Sequence, residues 1–327
     1  MKNLFTLCFI SLTVVLITLE LVIRIFFAEN MSGRFEYGYH PTAGFVEEND
    51  GTVNLVRAGG RRFRPQAFQM PKTEGTYRVF VVGDSVPRGP SLESAFAWQL
   101  QEMLRGKGVK AEVLNLGVAG YGVRRNQVML KQTLQYQPDL IILHLNDSNE
   151  YEDEREWLRA EENKSWHPKN WLSKSLLIAR LYELKTEKLF WYWLPQHIRI
   201  QAGVNDADAE VAAATEPEVM AKNTQRVRNV TLESLNLAQA EKVPVLILVP
   251  AKKNSASGEF SQIQTPSNLN ALVQELKMGG YPLIEMIKSF SNEKDLNLLF
   301  SDSSHLRTYG HKVLANDLLL KILSDKL

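Results

Sequence analysis

Short apolar runs separated by helical stretches are the strongest constraint on the fold of this chain. Four runs follow one another at residues 77–82, 111–116, 140–145 and 243–249, and a shorter fifth run covers residues 296–300. Amphipathic patterns predict helices near residues 93–105 and 124–136, and a final helix ends near Leu320. Strands that are apolar throughout and alternate with helices form a parallel sheet covered on both faces. The pattern therefore predicts an α/β fold.

A long apolar segment, residues 4–27, precedes all of this, and only Glu20 and Arg24 are charged within it. About 20 mainly apolar residues span a bilayer as a helix. Glu20 and Arg24 lie four residues apart, so they share one helix face and can pair. A cleaved signal peptide would end in small residues, whereas bulky Ile25, Phe26 and Phe27 follow here. We expect an uncleaved single-pass transmembrane anchor over residues 1–28; a signal peptide and a buried soluble helix are the alternatives.

The remaining chain divides into a stalk and a large domain. A short arm inside and a large domain outside is the commoner arrangement of such anchors, so we expect the domain on the periplasmic side of the membrane. Residues 29–75 are interpreted as a stalk that wraps onto the domain at residues 76–327. Four arginines in that stalk form either a solvated face or a grip for an anionic ligand or lipid headgroup. These arginines are Arg57, Arg61, Arg62 and Arg64.

An insertion at residues 150–215 interrupts the α/β pattern. It begins acidic and then becomes rich in tryptophan. Its aromatic side chains could pack in an added helical layer, form a lid that stacks on sugars, or lie at the membrane interface. Thr215 and Glu218 then have the spacing of a capping box that opens a long helix towards Glu241. The loop at residues 252–264 follows the fourth strand and is expected to border the pocket.

Composition removes several function classes. The 38 Lys and Arg residues balance 37 Asp and Glu, which gives no electrostatic case for nucleic acid as a partner. The only cysteine, Cys8, cannot form an internal disulfide. The sequence has neither a phosphate-binding Gly-Lys-Ser/Thr motif nor a zinc-binding His-Glu-x-x-His motif, so we expect no cofactor and no metal.

Residues that can do chemistry follow the strands, where functional groups of parallel sheets collect. Gly83, Asp84 and Ser85 follow the first strand, and three glycines lie within residues 117–122 after the second. Asn146 follows the third strand, and Asp302 and His305 precede the final helix. Each of these motifs taken alone is as well explained by a turn, a helix cap or a surface pair.

Taken in this order, the motifs resemble those of the SGNH/GDSL hydrolase family over roughly residues 77–320. The first block matches at Gly83, Asp84, Ser85 and Gly89, and the oxyanion glycine of the second block falls on Gly120. Asn146 and Asp147 match the third block, in which His144 replaces a glycine. Asp302 and His305 match the last block, followed by Gly310 and His311. The anchor and stalk also look like those of membrane-tethered bacterial members.

The resemblance implies a flavodoxin-like three-layer α/β/α sandwich with a five-stranded parallel sheet. It also implies acyl transfer in which Ser85 attacks an ester, His305 takes its proton and Asp302 orients the imidazole. The oxyanion hole would consist of the N–H groups of Ser85 and Gly120 and the side chain of Asn146.

The function expected from this site is hydrolysis of acyl esters, above all O-acetyl esters, on a small molecule or on carbohydrate of the cell envelope. A membrane-linked polysaccharide O-acetyltransferase would use the same residues. A non-catalytic glycan-binding module on the same fold is the third possibility, since the glycine of the third block is lost at His144.

Overall fold

The computed structural model describes residues 2–26, 45–58, 61–146, 175, 177, 217–253 and 262–327. Asp147, the capping residue Thr215 and the insertion at residues 150–215, apart from Ser175 and Leu177, lie outside the described residues. The side chains of Arg57, Arg61 and Arg62 are outside the described part as well.

The strands are β1 Phe45–Glu47, β2 Thr52–Ala58, β3 Arg61–Gln69, β4 Tyr77–Gly83, β5 Ala111–Gly117, β6 Leu140–His144, β7 Val245–Val249, β8 Lys252–Lys253, β9 Ile263–Gln264 and β10 Leu283–Glu285. The α-helices are α1 Lys2–Phe26, α2 Ser85–Arg88, α3 Phe96–Gly106, α4 Val123–Thr133, α5 Pro217–Ala240, α6 Asn270–Met278, α7 Met286–Ser289, α8 Leu296–Leu299 and α9 Thr308–Asp325. Short 3₁₀ turns cover Leu134–Tyr136 and Ser267–Leu269.

The central sheet has five parallel strands in the order β10-β7-β6-β4-β5. Counted along the chain, this is the order 2-1-3-4-5 of flavodoxin-like folds. Alternate side chains of β4 enter two hydrophobic clusters, one on each face of the sheet. Phe80 and Val82 pack with residues of α4 and α5, whereas Val79 and Val81 pack with residues of α3 and α9. The predicted three-layer α/β/α sandwich is confirmed.

The fifth strand lies elsewhere than the sequence pattern predicts. Residues 296–300 include α8, which Asp295 caps by accepting a hydrogen bond from the Asn297 N–H at 2.9 Å. Leu296 and Leu299 are buried three residues apart, which is helical spacing. The fifth strand is β10, which pairs in parallel with β7. β10 is an edge strand of three residues, of which only Ile284 is buried. A strand with one buried residue needs no continuous apolar run.

The described part of the predicted stalk is folded onto the domain. β1, β2 and β3 form an antiparallel sheet, and its buried Phe63 and Phe68 belong to the same hydrophobic cluster as Phe80. Gln66 bridges this sheet to β5, because its amide exchanges hydrogen bonds of 2.8 and 2.9 Å with the backbone of Asn115.

α1 is the one helix in the described residues that is long and apolar enough to cross a membrane. The candidate span is Thr6–Ile25, with a mean hydropathy of 2.4 and none of it buried in the protein. Glu20 and Arg24 form the predicted ion pair at 2.7 Å. Glu20 also accepts hydrogen bonds from the Ser175 hydroxyl at 2.7 Å and from the Leu177 N–H at 2.8 Å. A signal sequence would have the same length and composition, so the anchor stays a prediction.

Candidate active site

Ser85 occupies the first turn of a short helix at the carboxyl edge of the sheet. β4 ends at Gly83, and the Asp84 carboxylate caps α2 by accepting a hydrogen bond of 2.8 Å from the Val86 N–H. α2 lies directly against the end of β5. A Cβ on Gly117 would lie 2.3 Å from the backbone nitrogen of Arg88, so only glycine permits this approach. Close packing of α2 on β5 therefore determines where Ser85 stands.

Asn115 joins the same two elements through its side chain, which is fully buried. Its Nδ2 donates to the carbonyl oxygen of Pro87 at 2.8 Å, and its Oδ1 accepts from the Gly117 N–H at 2.9 Å. A buried amide without hydrogen-bond partners destabilises the folded protein. The two bonds of Asn115 therefore favour the one position of α2 in which both can form. The helix that carries Ser85 is thus held by β5 as well as by β4.

Asp302 and His305 come from the turn between α8 and α9. One oxygen of Asp302 accepts hydrogen bonds from the N–H groups of Ser304 at 2.9 Å and of His305 at 2.8 Å. The other accepts from His305 Nδ1 at 2.7 Å. Burial alone would raise the pKa of Asp302, but these three hydrogen bonds outweigh it and hold the pKa below its ordinary value. The carboxylate therefore stays ionised beside the imidazole.

The two halves meet across 220 positions of the chain. His305 Nε2 lies 2.8 Å from Ser85 Oγ. Since Nδ1–H donates to the Asp302 carboxylate, Nε2 is the nitrogen free to accept the serine proton; the hydrogen bonds assign this tautomer. Ser85, His305 and Asp302 thus form a continuous hydrogen-bonded series, the arrangement needed to activate a hydroxyl nucleophile.

A cavity of about 280 Å³ opens beside Ser85 and His305. Gly120 lies in its wall with φ of 76°, a left-handed backbone conformation that favours glycine. Its described lining residues are Asp84, Ser85, Val86, Ala119, Gly120, His144, Pro250, Ala251, Lys252, Met286, Ser304 and His305. Lys252 belongs to the loop expected to border the pocket, of which residues 254–261 lie outside the described part.

Asn146, the third expected oxyanion donor, is buried. Its Nδ2 donates to the carbonyl oxygen of Tyr121 at 2.5 Å. It is not among the described residues that line the cavity. The bond attaches the end of β6 to the turn that carries Gly120.

His144 lines the cavity instead, where the family resemblance expects a glycine. It is 2% exposed, and its Nδ1 lies 3.4 Å from the Asp84 carboxylate. A Cβ on Gly83 would lie 2.8 Å from the His144 Cβ, so the glycine at the end of β4 makes room for this side chain. The substitution in the third block was visible in the sequence, but the contact with Asp84 was not. Among the described residues, no group of three or more His, Cys, Asp or Glu side chains could hold a metal ion.

The chain is similar to several solved structures. An acetyl xylan esterase is 16% identical, with 76% of this chain and all of that chain covered and a TM-score of 0.45. A member of the lipolytic protein G-D-S-L family from Veillonella parvula is 10% identical, with 76% and 97% covered and a TM-score of 0.43. A lipase/acylhydrolase from Enterococcus faecalis is 13% identical, with 76% and 96% covered and a TM-score of 0.45. No protein-family model and no curated protein matches the sequence.

Proposed function

We propose that the protein is a serine ester hydrolase of the SGNH/GDSL type, with Ser85 as nucleophile. The observation that supports this is the series from Ser85 Oγ through the His305 ring to Asp302, with spacings of 2.8 and 2.7 Å. A surface His-Asp pair would leave the serine unengaged. Here the free imidazole nitrogen is within hydrogen-bond reach of a serine that lines a cavity.

The reaction proceeds in two steps. Ser85 Oγ attacks the ester carbonyl while His305 Nε2 takes the hydroxyl proton, and His305 then returns that proton to the departing alcohol oxygen. Water next attacks the acyl-serine with the same imidazole as base, which releases the carboxylic acid and restores Ser85. Asp302 stays ionised throughout and stabilises the imidazolium that forms at each step.

The tetrahedral oxyanion would be received by backbone N–H groups of Ser85 and Gly120. Gly120 lies in the cavity wall, and α2 presents its first N–H groups at the same edge of the sheet. We propose the Asn146 side chain as the third donor, because its bond to the Tyr121 carbonyl holds it beside the turn that carries Gly120. Replacing Asn146 with alanine should lower turnover by about 10²–10³ if the amide acts as a donor. A fall in thermal stability with unchanged turnover would contradict that role.

We propose acyl esters on carbohydrate, in particular O-acetyl esters of cell-envelope polysaccharide, as the substrate. An apolar α1 that crosses the membrane with the domain on the outer side would place Ser85 beside such polymers. Protease treatment of spheroplasts, whose outer membrane is opened and whose inner membrane is sealed, tests this orientation. Cleavage of the domain in spheroplasts is the expected result, and complete protection until the inner membrane is lysed would contradict it.

Labelling by a fluorophosphonate probe tests the nucleophile directly. The full chain in detergent should label, and Ser85→Ala should not. Ser291→Ala should label like the unmodified chain, because Ser291 is an exposed residue that does not line the cavity beside Ser85. Absence of labelling in the unmodified chain would refute the proposal.

Release of free acetate from an acetylated glycan then separates hydrolysis from acyl transfer. Hydrolysis predicts free acetate at a rate that an added sugar acceptor does not change. Acetyl groups appearing on the acceptor, with little free acetate, would instead identify an acetyltransferase.

A further inference from the structure

A second cavity, also of about 280 Å³, adjoins the nucleophile as well. It shares Ser85, Ala119 and His305 with the first cavity, so the two meet where the ester carbonyl would sit. Its other described lining residues are Arg88, Gly89, Pro90, Ser301, Asp302, Leu306 and His311. An ester has an acyl part and an alcohol part, and two cavities that meet at Ser85 can hold one each.

Arg88 supplies a positive charge to this second cavity and is held there by no ion pair among the described residues. It lies on α2 three residues after Ser85, and no described carboxylate forms an ion pair with it. The Asp302 carboxylate in the same wall is already engaged by the His305 ring and by two backbone N–H groups. A partly buried guanidinium without a direct ion pair is unfavourable, because arginine stays protonated.

Arg64 adds a second positive charge beside this wall, so that two guanidinium groups outnumber the one carboxylate of Asp302. Its Nη2 donates to the carbonyl oxygens of Gly89 at 2.8 Å and Pro90 at 2.6 Å, which belong to the cavity wall. Its buried Nε has no hydrogen-bond partner among the described residues. Burial and the neighbouring Arg64 charge together lower the pKa of Arg88. Two adjacent guanidinium groups beside an open cavity are the electrostatic arrangement of an anion site.

We propose that this second cavity binds a carboxylate of the substrate, so that the protein acts on acyl esters of acidic sugars such as uronic acids. The planar fork of a guanidinium matches a carboxylate, which it can bind through two parallel hydrogen bonds. A dianionic phosphate fits less well, because Asp302 lies in the same wall. Side chains at positions i and i+3 of a helix stand about 5–6 Å apart at Cβ. Ser85 and Arg88 therefore span the width of about one sugar ring.

This inference rests on the proposed esterase function, and its test uses a matched pair of substrates. Glucuronic acid and glucose acetylated at the same ring hydroxyl differ only at C6, which is a carboxylate in the first and a hydroxymethyl group in the second. The full chain in detergent should release acetate from the acidic ester with a kcat/KM about 10- to 100-fold higher, the range expected of a charge-assisted pair. Most of the difference should lie in KM, and it should shrink as sodium chloride is raised.

Three variants identify Arg88 as the source of the preference. Arg88→Gln should lower kcat/KM for the acidic ester about 10- to 100-fold more than for the neutral ester, whereas Arg88→Lys should restore part of the preference. Arg228→Gln is the control, since Arg228 lies on α5, pairs with Glu275 and lines neither cavity. Equal rates on both esters in the unmodified chain, or an equal loss on both in Arg88→Gln, would overturn the proposal.

Binding to an inactive variant keeps this test separate from the esterase proposal. Calorimetry on Ser85→Ala should show glucuronate binding at least about tenfold more tightly than glucose, and Ser85→Ala combined with Arg88→Gln should remove the difference. If no ester is cleaved but glucuronate still binds through Arg88, the esterase proposal alone fails. If glucuronate and glucose bind Ser85→Ala alike, the carboxylate subsite is wrong whatever the catalytic result.

Discussion

His311 should make the stability of the domain depend on pH. It lies in α9, is 1% exposed and stacks on Phe96, and its Nδ1 accepts a hydrogen bond of 3.3 Å from the Phe96 N–H. Burial lowers the pKa of His311 from 6.5 to about 4. At pH values between these two pKa values, His311 is protonated in the unfolded chain and neutral in the folded chain. Acidification through this window therefore favours unfolding.

The size of the effect follows from the two pKa values. A difference of between two and three pKa units corresponds to about 3 kcal/mol in total, at about 1.4 kcal/mol for each unit. About 2 kcal/mol of this should be lost between pH 7 and pH 5, and the remainder by about pH 4. At pH values above the pKa of His311 in the unfolded chain, none of this free energy of unfolding is lost.

Urea unfolding of the full chain in detergent, followed by circular dichroism, measures this loss. The matched variant is His311→Gln, which removes the titrating group and keeps a polar side chain. The variant should be less stable at pH 7, and its free energy of unfolding should fall by about 2 kcal/mol less than that of the unmodified chain between pH 7 and pH 5. All other ionisable groups are common to the two proteins, so their contributions cancel from the comparison. Parallel pH profiles would refute a buried neutral His311.

Three further substitutions test how the domain is held together. Asn115→Ala leaves the Pro87 carbonyl and the Gly117 N–H without their partners. It should lower the free energy of urea unfolding by about 2–4 kcal/mol and reduce fluorophosphonate labelling. Unchanged labelling would contradict the role of Asn115 in placing α2. Gly117→Ala forces α2 away from β5, which should lower the free energy of unfolding by about 1–3 kcal/mol or more. The folded variant should also label more slowly. Labelling at the normal rate would show that α2 can shift freely. Arg78→Met removes the buried guanidinium that pairs with Glu112 at 2.8 Å. It should lower the free energy of unfolding by about 3–5 kcal/mol, measured with heat or urea. An unchanged unfolding midpoint would contradict this prediction.

The strands β4 to β7 were predictable because each is buried on both faces and so consists almost entirely of apolar residues. The proximity of Ser85 and His305 was predictable for a related reason. Parallel strands end at one edge of the sheet, so motifs that follow different strands meet there whatever their separation in the chain. Identification of the individual residues depended on the family resemblance, since each motif alone is equally typical of a turn or cap.

The errors and omissions occur where burial is partial or contacts are distant. β10 is an edge strand with one buried residue, so nothing in residues 283–285 distinguishes it from a loop. Residues 296–300 are apolar because α8 buries Leu296 and Leu299, and a short apolar run does not distinguish a strand from a helix. The excess charge around Arg88 depends on Arg64, which comes from β3 and reaches the site only in the folded domain.

The two halves of the Ser-His-Asp series are supported in different ways. Ser85 stands on a helix that is packed against β5 and capped by the buried Asp84. The side chains of Asp302 and His305 are 52% and 45% exposed, and their turn is held by its own hydrogen bonds and by the Lys253 N–H, which donates to the Ser303 carbonyl at 2.8 Å.

Segments with few buried contacts open at lower free energy than the core does. The geometry between Ser85 and His305 is therefore set by a rigid nucleophile and a base on a more easily opened turn. Because Asp302 and His305 bond to each other within three residues, the turn can shift without separating the carboxylate from the imidazole. A substrate held by Arg88, on the rigid helix, would then be aligned with the nucleophile first and with the base second.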